Sequence, residues 1–83
     1  MDLAQIQSKD TFRVNERCLA FHGPLLYDAK ILKVYKNAAP DGNHLYQIHF
    51  IGWHKRWDMQ VDASMLNKIT HDNRAYQDEF PDL

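Results

Sequence analysis

Apolar residues come in short bursts along this chain, each closed by turn residues within a few positions. Residues 1–11 are polar and aperiodic and read as a flexible lead-in, so the ordered domain is expected to begin at Phe12. Cys18-Leu19-Ala20-Phe21 reads as a first strand, closed by His22-Gly23-Pro24; Pro24 has no N–H to donate, so pairing is expected to break there. The longest strand candidate runs from Tyr27 to Lys36, where β-branched and aromatic residues alternate roughly with lysines. The segment from Asn37 to Asn43, centred on Pro40-Asp41-Gly42, reads as a hairpin loop. From His44 to Ile51 the alternation returns, with Tyr46, Ile48 and Phe50 on one face and Leu45, Gln47 and His49 on the other.

Gly52 ends that strand, and Trp53-His54-Lys55-Arg56 reads as a tight polar connection to a fourth strand from Trp57 to Val61. Asp62 is placed to cap a turn of helix through Ala63-Ser64-Met65-Leu66. Asp72 is expected to cap a short helix containing Ala75 and Tyr76, with residues 77–83 as a tail. Four short strands, a hairpin loop and a C-terminal helix, without βαβ alternation or internal repeat, predict a mainly β fold. Its expected form is a small, strongly bent antiparallel barrel.

Composition narrows the partners. Eighty-three residues, 45% hydrophobic and 25% charged, make one small globular domain. Ten Lys+Arg against eleven Asp+Glu give a formal charge of −1, which argues against nucleic acid as the main ligand. The single cysteine, Cys18, reads as a small buried hydrophobe and excludes an intramolecular disulfide. Residues 1–10 lack the apolar core of a signal peptide, and no apolar stretch approaches the roughly 20 residues of a membrane span. An intracellular compartment is therefore expected, with no membrane partner.

Catalytic chemistry is hard to assemble from these residues. His22, His44, His49, His54 and His71 stand in no spacing used by zinc sites, so no metal or cofactor is expected. Asp58 and Asp62 flank one short strand without an acid–base partner, and Ser8 and Ser64 lack the glycine-flanked nucleophile turn. The protein is not expected to be an enzyme.

Trp53 and Trp57 stand apart from this ordinary background. They flank a His-Lys-Arg turn directly after a glycine, and a core this small has no room to bury both. One reading has the two indoles capping an open end of the barrel. The other has them lining a pocket for a cation, where each ring face contributes roughly 0.5–1 kcal/mol when exposed and about 2 when desolvated. A methylated ammonium suits such a pocket, because it keeps its charge while losing N–H donors.

Two long runs then carry a family resemblance. Residues 18–30, from Cys18 through His22-Gly23-Pro24 to Lys30, closely resemble the opening of the chromo barrel in MRG-family chromatin proteins. Residues 46–58, from Tyr46 through Phe50-Ile51-Gly52-Trp53 to Trp57-Asp58, resemble that family's second signature, and the similarity extends from about Phe12 to Tyr76. The resemblance implies a five-stranded, SH3-like curved barrel over residues 12–76, with a C-terminal helix. Residues 77–83 would then lead toward a separate MRG domain beyond this fragment.

The resemblance also implies a methyllysine cage built from Tyr27, Phe50, Trp53 and Trp57 with His22 at the rim. Lys55, Arg56 and Asp58 are the candidate contacts to a peptide or to DNA. Its implied ligand is di- or trimethylated lysine 36 of histone H3, its partners histone acetyltransferase and deacetylase complexes, and its compartment the nucleus. Three departures stand out: Phe50 replaces the family's usual Tyr, Met59-Gln60 replaces Glu-Trp after Asp58, and Asn15 replaces a Gly. They motivate an alternative, a protein- or nucleosomal-DNA-docking barrel with a degenerate cage, whose basic edge would be Lys30, Lys33, Lys36, Lys55 and Arg56.

Overall fold

The computed structural model describes residues 11–80; the lead-in expected over 1–11 lies, except for Thr11, outside them. Five antiparallel strands form one curled sheet: β1 (Arg17–His22), β2 (Leu25–Tyr35), β3 (Leu45–Phe50), β4 (Met59–Asp62) and β5 (Leu66–Asn67), in the order β4-β3-β2-β1-β5. Among the described residues a single α-helix, α1 (His71–Glu79), follows. The chain is therefore mainly β, a half-barrel with β4 and β5 as its edges.

Local chemistry sets the bends. β1 and β2 pair up to His22↔Leu25, so the expected break at Pro24 is a two-residue hairpin turn. Gly23 takes φ 64° in its first central position, and the Pro24 ring supplies the fixed φ near −65° of the second, the pattern of a type II′ turn. In β2 the register shifts between Ile31 and Lys33, leaving Leu32 as an extra residue that bends the strand across the barrel. The loop after β2 is latched where the Asn37 N–H donates to His44 Nδ1 at 2.9 Å.

The alternation read along β3 is correct: Tyr46, Ile48 and Phe50 are fully buried, while Leu45, Gln47 and His49 are half-buried on the outer face. They meet Cys18, Ala20, Ala29, Ile31, Val61 and Leu66 in the interior. Phe12 closes one end, edge-on to Tyr46 at 5.6 Å, with its N–H 3.4 Å from the Tyr46 hydroxyl. Lys68 holds Phe12 in place: its ammonium lies 4.3 Å over the ring and donates to the Thr11 carbonyl and to Glu16 Oε2. Burial alone would raise the Glu16 carboxyl, but the Lys68 ammonium and the Arg13 N–H hold it below its ordinary value. Burial pushes the Cys18 thiol up to about 11, so it is a neutral apolar group, as expected.

Three boundaries differ from the sequence reading. Lys55–Trp57 is a 3-10 turn, so the fourth strand starts at Met59 rather than at Trp57. Asp62 does cap the next turn, accepting from the Ser64 N–H, but Leu66 leaves it to form β5. The helix is capped by Thr70, whose hydroxyl accepts from the Asn73 N–H; Asp72 sits in the first turn, and the helix continues to Glu79.

That helix packs against β1 and β2, with Tyr76 edge-on to Phe21 at 6.0 Å. Arg74 donates to both Asp28 oxygens at 2.7 and 3.1 Å, and Gln77 donates to Asp28 and to the Leu26 carbonyl. The Tyr76 hydroxyl donates to the Pro24 carbonyl. The Arg74 guanidinium, against a smaller burial effect, holds the Asp28 carboxyl below its usual range. A depressed folded-state pKa stabilises above the unfolded value, near 4, and that contribution is lost as pH falls through the folded value. Arg74→Ala is therefore expected to cost about 1 kcal/mol at pH 7, kept small by the exposure of both partners. The difference from the unsubstituted protein should begin to shrink as pH falls below about 4 and vanish below the folded-state value; thermal melts across pH check both the size and the direction.

Candidate functional site

Three chain reversals converge at one end of the half-barrel. The first is the Gly23-Pro24 turn, with His22 before it and Tyr27 two residues into β2. The second follows β3. The Trp53 N–H donates to the Phe50 carbonyl at 3.0 Å, closing a turn in which Gly52 has φ 85°. A side chain at that position would meet nothing within 4 Å, so glycine is needed there for backbone conformation rather than for space. The Ile51 N–H donates to the Asp28 carbonyl, which binds this turn to β2 beside Tyr27. The third is the 3-10 turn before β4, capped by His54 Nδ1, which accepts from the Arg56 N–H at 3.0 Å. It delivers Trp57.

The five rings named from the sequence come together at these reversals. Trp53 is central, with ring centroids 4.8 Å from Tyr27, 4.9 Å from Phe50, 5.3 Å from His22 and 6.1 Å from Trp57. His22 lies 5.7 Å from Phe50 and 6.3 Å from both Tyr27 and Trp57. Nearly all the pairs are edge-to-face; Phe50 and Trp53 are inclined by only 31°. Burial is graded across the cluster: Phe50 is the closed floor at 0% exposure, Tyr27 and Trp53 are half-buried, and Trp57 is the outer wall at 48%. Both indoles do lie at one end of the barrel, as either reading of the pair required. Their planes meet at 88°, edge to face.

The polar candidates divide. Lys55 and Arg56 are exposed on the turn between the tryptophans. Asp58 instead faces β3, its Oδ1 accepting from His49 Nδ1 at 2.6 Å. His49 is thus a satisfied outward strand residue, as expected, and the sequence reading missed only its partner. His44 and His54 are likewise spent on backbone N–H groups. Among the described residues no group of three or more His, Cys, Asp or Glu side chains stands together as metal ligands do, and no polar or charged side chain is buried. The site offers ring faces and a few exposed charges.

Comparisons with known proteins bear on the family and the fold. Residues 12–82 match the family model described as MSL3 chromodomain-like. The chain is 45% identical over 72 residues to mortality factor 4-like protein 1 of Rattus norvegicus, covering 87% of this chain and 21% of that protein. It is 47% identical over 65 residues to the NuA4 complex subunit EAF3 homolog of Drosophila melanogaster, covering 78% and 15% respectively. It therefore spans about a fifth or less of the length of these relatives. Among solved structures, the Drosophila MSL3 chromodomain superposes with a TM-score of 0.76 at 32% identity, over 84% of this chain and 88% of the other. Two signature runs, a five-stranded curled sheet and a model match over nearly the whole domain point the same way: this chain belongs to the MSL3 chromodomain-like family, among relatives of the MRG and EAF3 chromatin proteins.

Proposed function

We propose that this domain is a non-catalytic chromatin reader whose ring cluster binds a methylated lysine of a histone tail, with di- or trimethylated lysine 36 of histone H3 as its ligand. The observation that carries the reading is the convergence of His22, Tyr27, Phe50, Trp53 and Trp57, graded from a closed floor to an exposed outer wall. Electron-rich ring faces attract a methylammonium, and the half-exposed outer wall gives it a way in. Selectivity arises from what the site lacks. Unmodified lysine enters with three strongly hydrated N–H donors, and Asp58, the carboxylate nearest in sequence, is already bonded to His49. Each added methyl group lowers that desolvation cost.

Lys55 and Arg56, exposed beside the rings, suit a contact with the flanking tail or with nucleosomal DNA. Two relatives are named as a NuA4 complex subunit and as a chromatin modification-related protein, which supports a nuclear setting; we infer that the domain directs histone acetyltransferase and deacetylase complexes to marked chromatin.

A small rim cage should bind weakly, on the order of −4 to −6 kcal/mol, or millimolar to tens of micromolar. Calorimetric titration with H3-tail peptides carrying none to three methyl groups at lysine 36 tests the reading. Affinity is expected to rise with methylation, the unmodified peptide being at least roughly tenfold weaker than the trimethylated one. Equal affinity for all four peptides would rule the reading out.

A further inference from the structure

Trp57 is the least supported wall of the ring cluster. It is 48% exposed, and its ring contacts are edge contacts at 6.1 Å to Trp53 and 6.3 Å to His22. Two edge contacts on one side leave a half-exposed indole dependent also on the backbone beneath it.

The backbone there has lost its ladder. Pairing between β3 and β4 ends at Ile48↔Met59. Continued outward by one position, the same antiparallel register sets His49 opposite Asp58, where the chain leaves the turn that carries Trp57. That rung is made by side chains: the His49 ring and the Asp58 carboxylate meet at 2.6 Å, with the side chains only 28% and 18% exposed. Asp58 also closes the turn that carries Trp57, its N–H donating to the Lys55 carbonyl at 2.9 Å. One residue thus ends the turn, leads into β4 and ties both to the strand that carries Phe50.

We propose that the His49–Asp58 pair is a positioning device for the cage: it holds Trp57 beside Trp53 and His22 and so sets the affinity for a methylammonium, without either side chain touching the ligand. The ligand in this statement rests on the methyllysine reading; the positioning does not. A like-for-like bond is available to Asn at position 58, whose amide oxygen also accepts from His49 Nδ1–H. Loss of either partner frees the turn.

The test uses the 83-residue chain and two readouts. The first is NMR of the Trp53 and Trp57 indole N–H groups without ligand, and the second is titration with a trimethyllysine peptide. His49→Ala and Asp58→Ala should each weaken binding by about 5–10-fold, while Asp58→Asn should stay within about twofold of the unsubstituted protein. In both alanine variants the Trp57 indole should shift and its order parameter fall from about 0.85 toward 0.6, with Trp53 unchanged. Unchanged order at Trp57 in both variants would overturn the proposal. So would normal binding by His49→Ala beside a loss in Asp58→Ala, because that pattern means the carboxylate itself touches the peptide. If the unsubstituted protein binds no methylated peptide, the methyllysine reading fails, and the ligand-free indole spectra decide the positioning alone. Should Asp58→Ala lose its fold by circular dichroism, His49→Ala carries both readouts.

Discussion

Trp53→Ala is expected to abolish measurable binding of a trimethyllysine peptide while leaving the domain folded. Trp53 is the ring that every other member of the cluster touches, from 4.8 Å at Tyr27 to 6.1 Å at Trp57. Its own share of a desolvated cation–π contact is about 2 kcal/mol, or roughly 30-fold in affinity. The remaining rings then lose their common neighbour, so Tyr27, Phe50 and Trp57 no longer face one point. From a starting affinity no tighter than tens of micromolar, a loss of that size moves binding beyond the range of calorimetry. Trp53 is only half-buried, so the stability cost should be about 2 kcal/mol, below the 3–5 typical of a fully buried Trp. Trp53→Phe separates the two effects: it keeps a ring face and should retain weak binding. Undiminished affinity in Trp53→Ala would mean that the methyl mark is read elsewhere, or not at all.

How much of this was legible beforehand depends on the range of the interaction. Period-two alternation placed Tyr46, Ile48 and Phe50 inward because one side chain in two must face the core, and that needs no knowledge of the partner strand. The Asp62 cap and the Gly23-Pro24 reversal are equally local. What could not be read is what depends on a partner far along the chain. β5 is two residues, Leu66–Asn67, too short to show any period, and it exists because Leu19 and Ala20 of β1 pair with it. The helix is seated by Asp28, 46 residues before Arg74, and no spacing rule connects them. Thr70 and Asp72 are both good capping residues, and only the position of the first turn distinguishes them.

The candidate site shows the same division. Two tryptophans around a polar turn were conspicuous as residues, but pattern alone left open whether they formed a lid or a pocket. The motif resemblance named the five rings; the crossing of their planes and the graded burial came only with the fold. Asp58 illustrates the remaining gap. In sequence it was a charge beside the cage, free to meet a peptide. Its partner became visible once β4 was seen to begin at Met59, since that register sets it against His49.

The largest stability effect should come from the same strand that supplies the cage floor. Tyr46 is 1% exposed at the centre of the sheet, paired with Val34 of β2 and Val61 of β4. Its ring seals against Phe12, and its hydroxyl receives the Phe12 N–H. Tyr46→Ala leaves a cavity under both neighbouring strands and releases the Phe12 closure, at an expected cost of about 3–5 kcal/mol. A domain of this length has only about 4–12 kcal/mol in total, so the melting temperature should fall by roughly 15–30 °C, or the domain should be unfolded at 25 °C. Tyr46→Phe keeps the ring and removes only the hydroxyl, for about 1 kcal/mol. A melting temperature within about 5 °C of the unsubstituted protein in Tyr46→Ala would mean that the Phe12 end is not sealed by this contact. Binding should follow the fold: where part of the population is unfolded, apparent affinity falls by that fraction alone. A variant that binds weakly in proportion to its unfolded fraction has lost the scaffold, whereas one that stays folded and binds weakly has lost the cage.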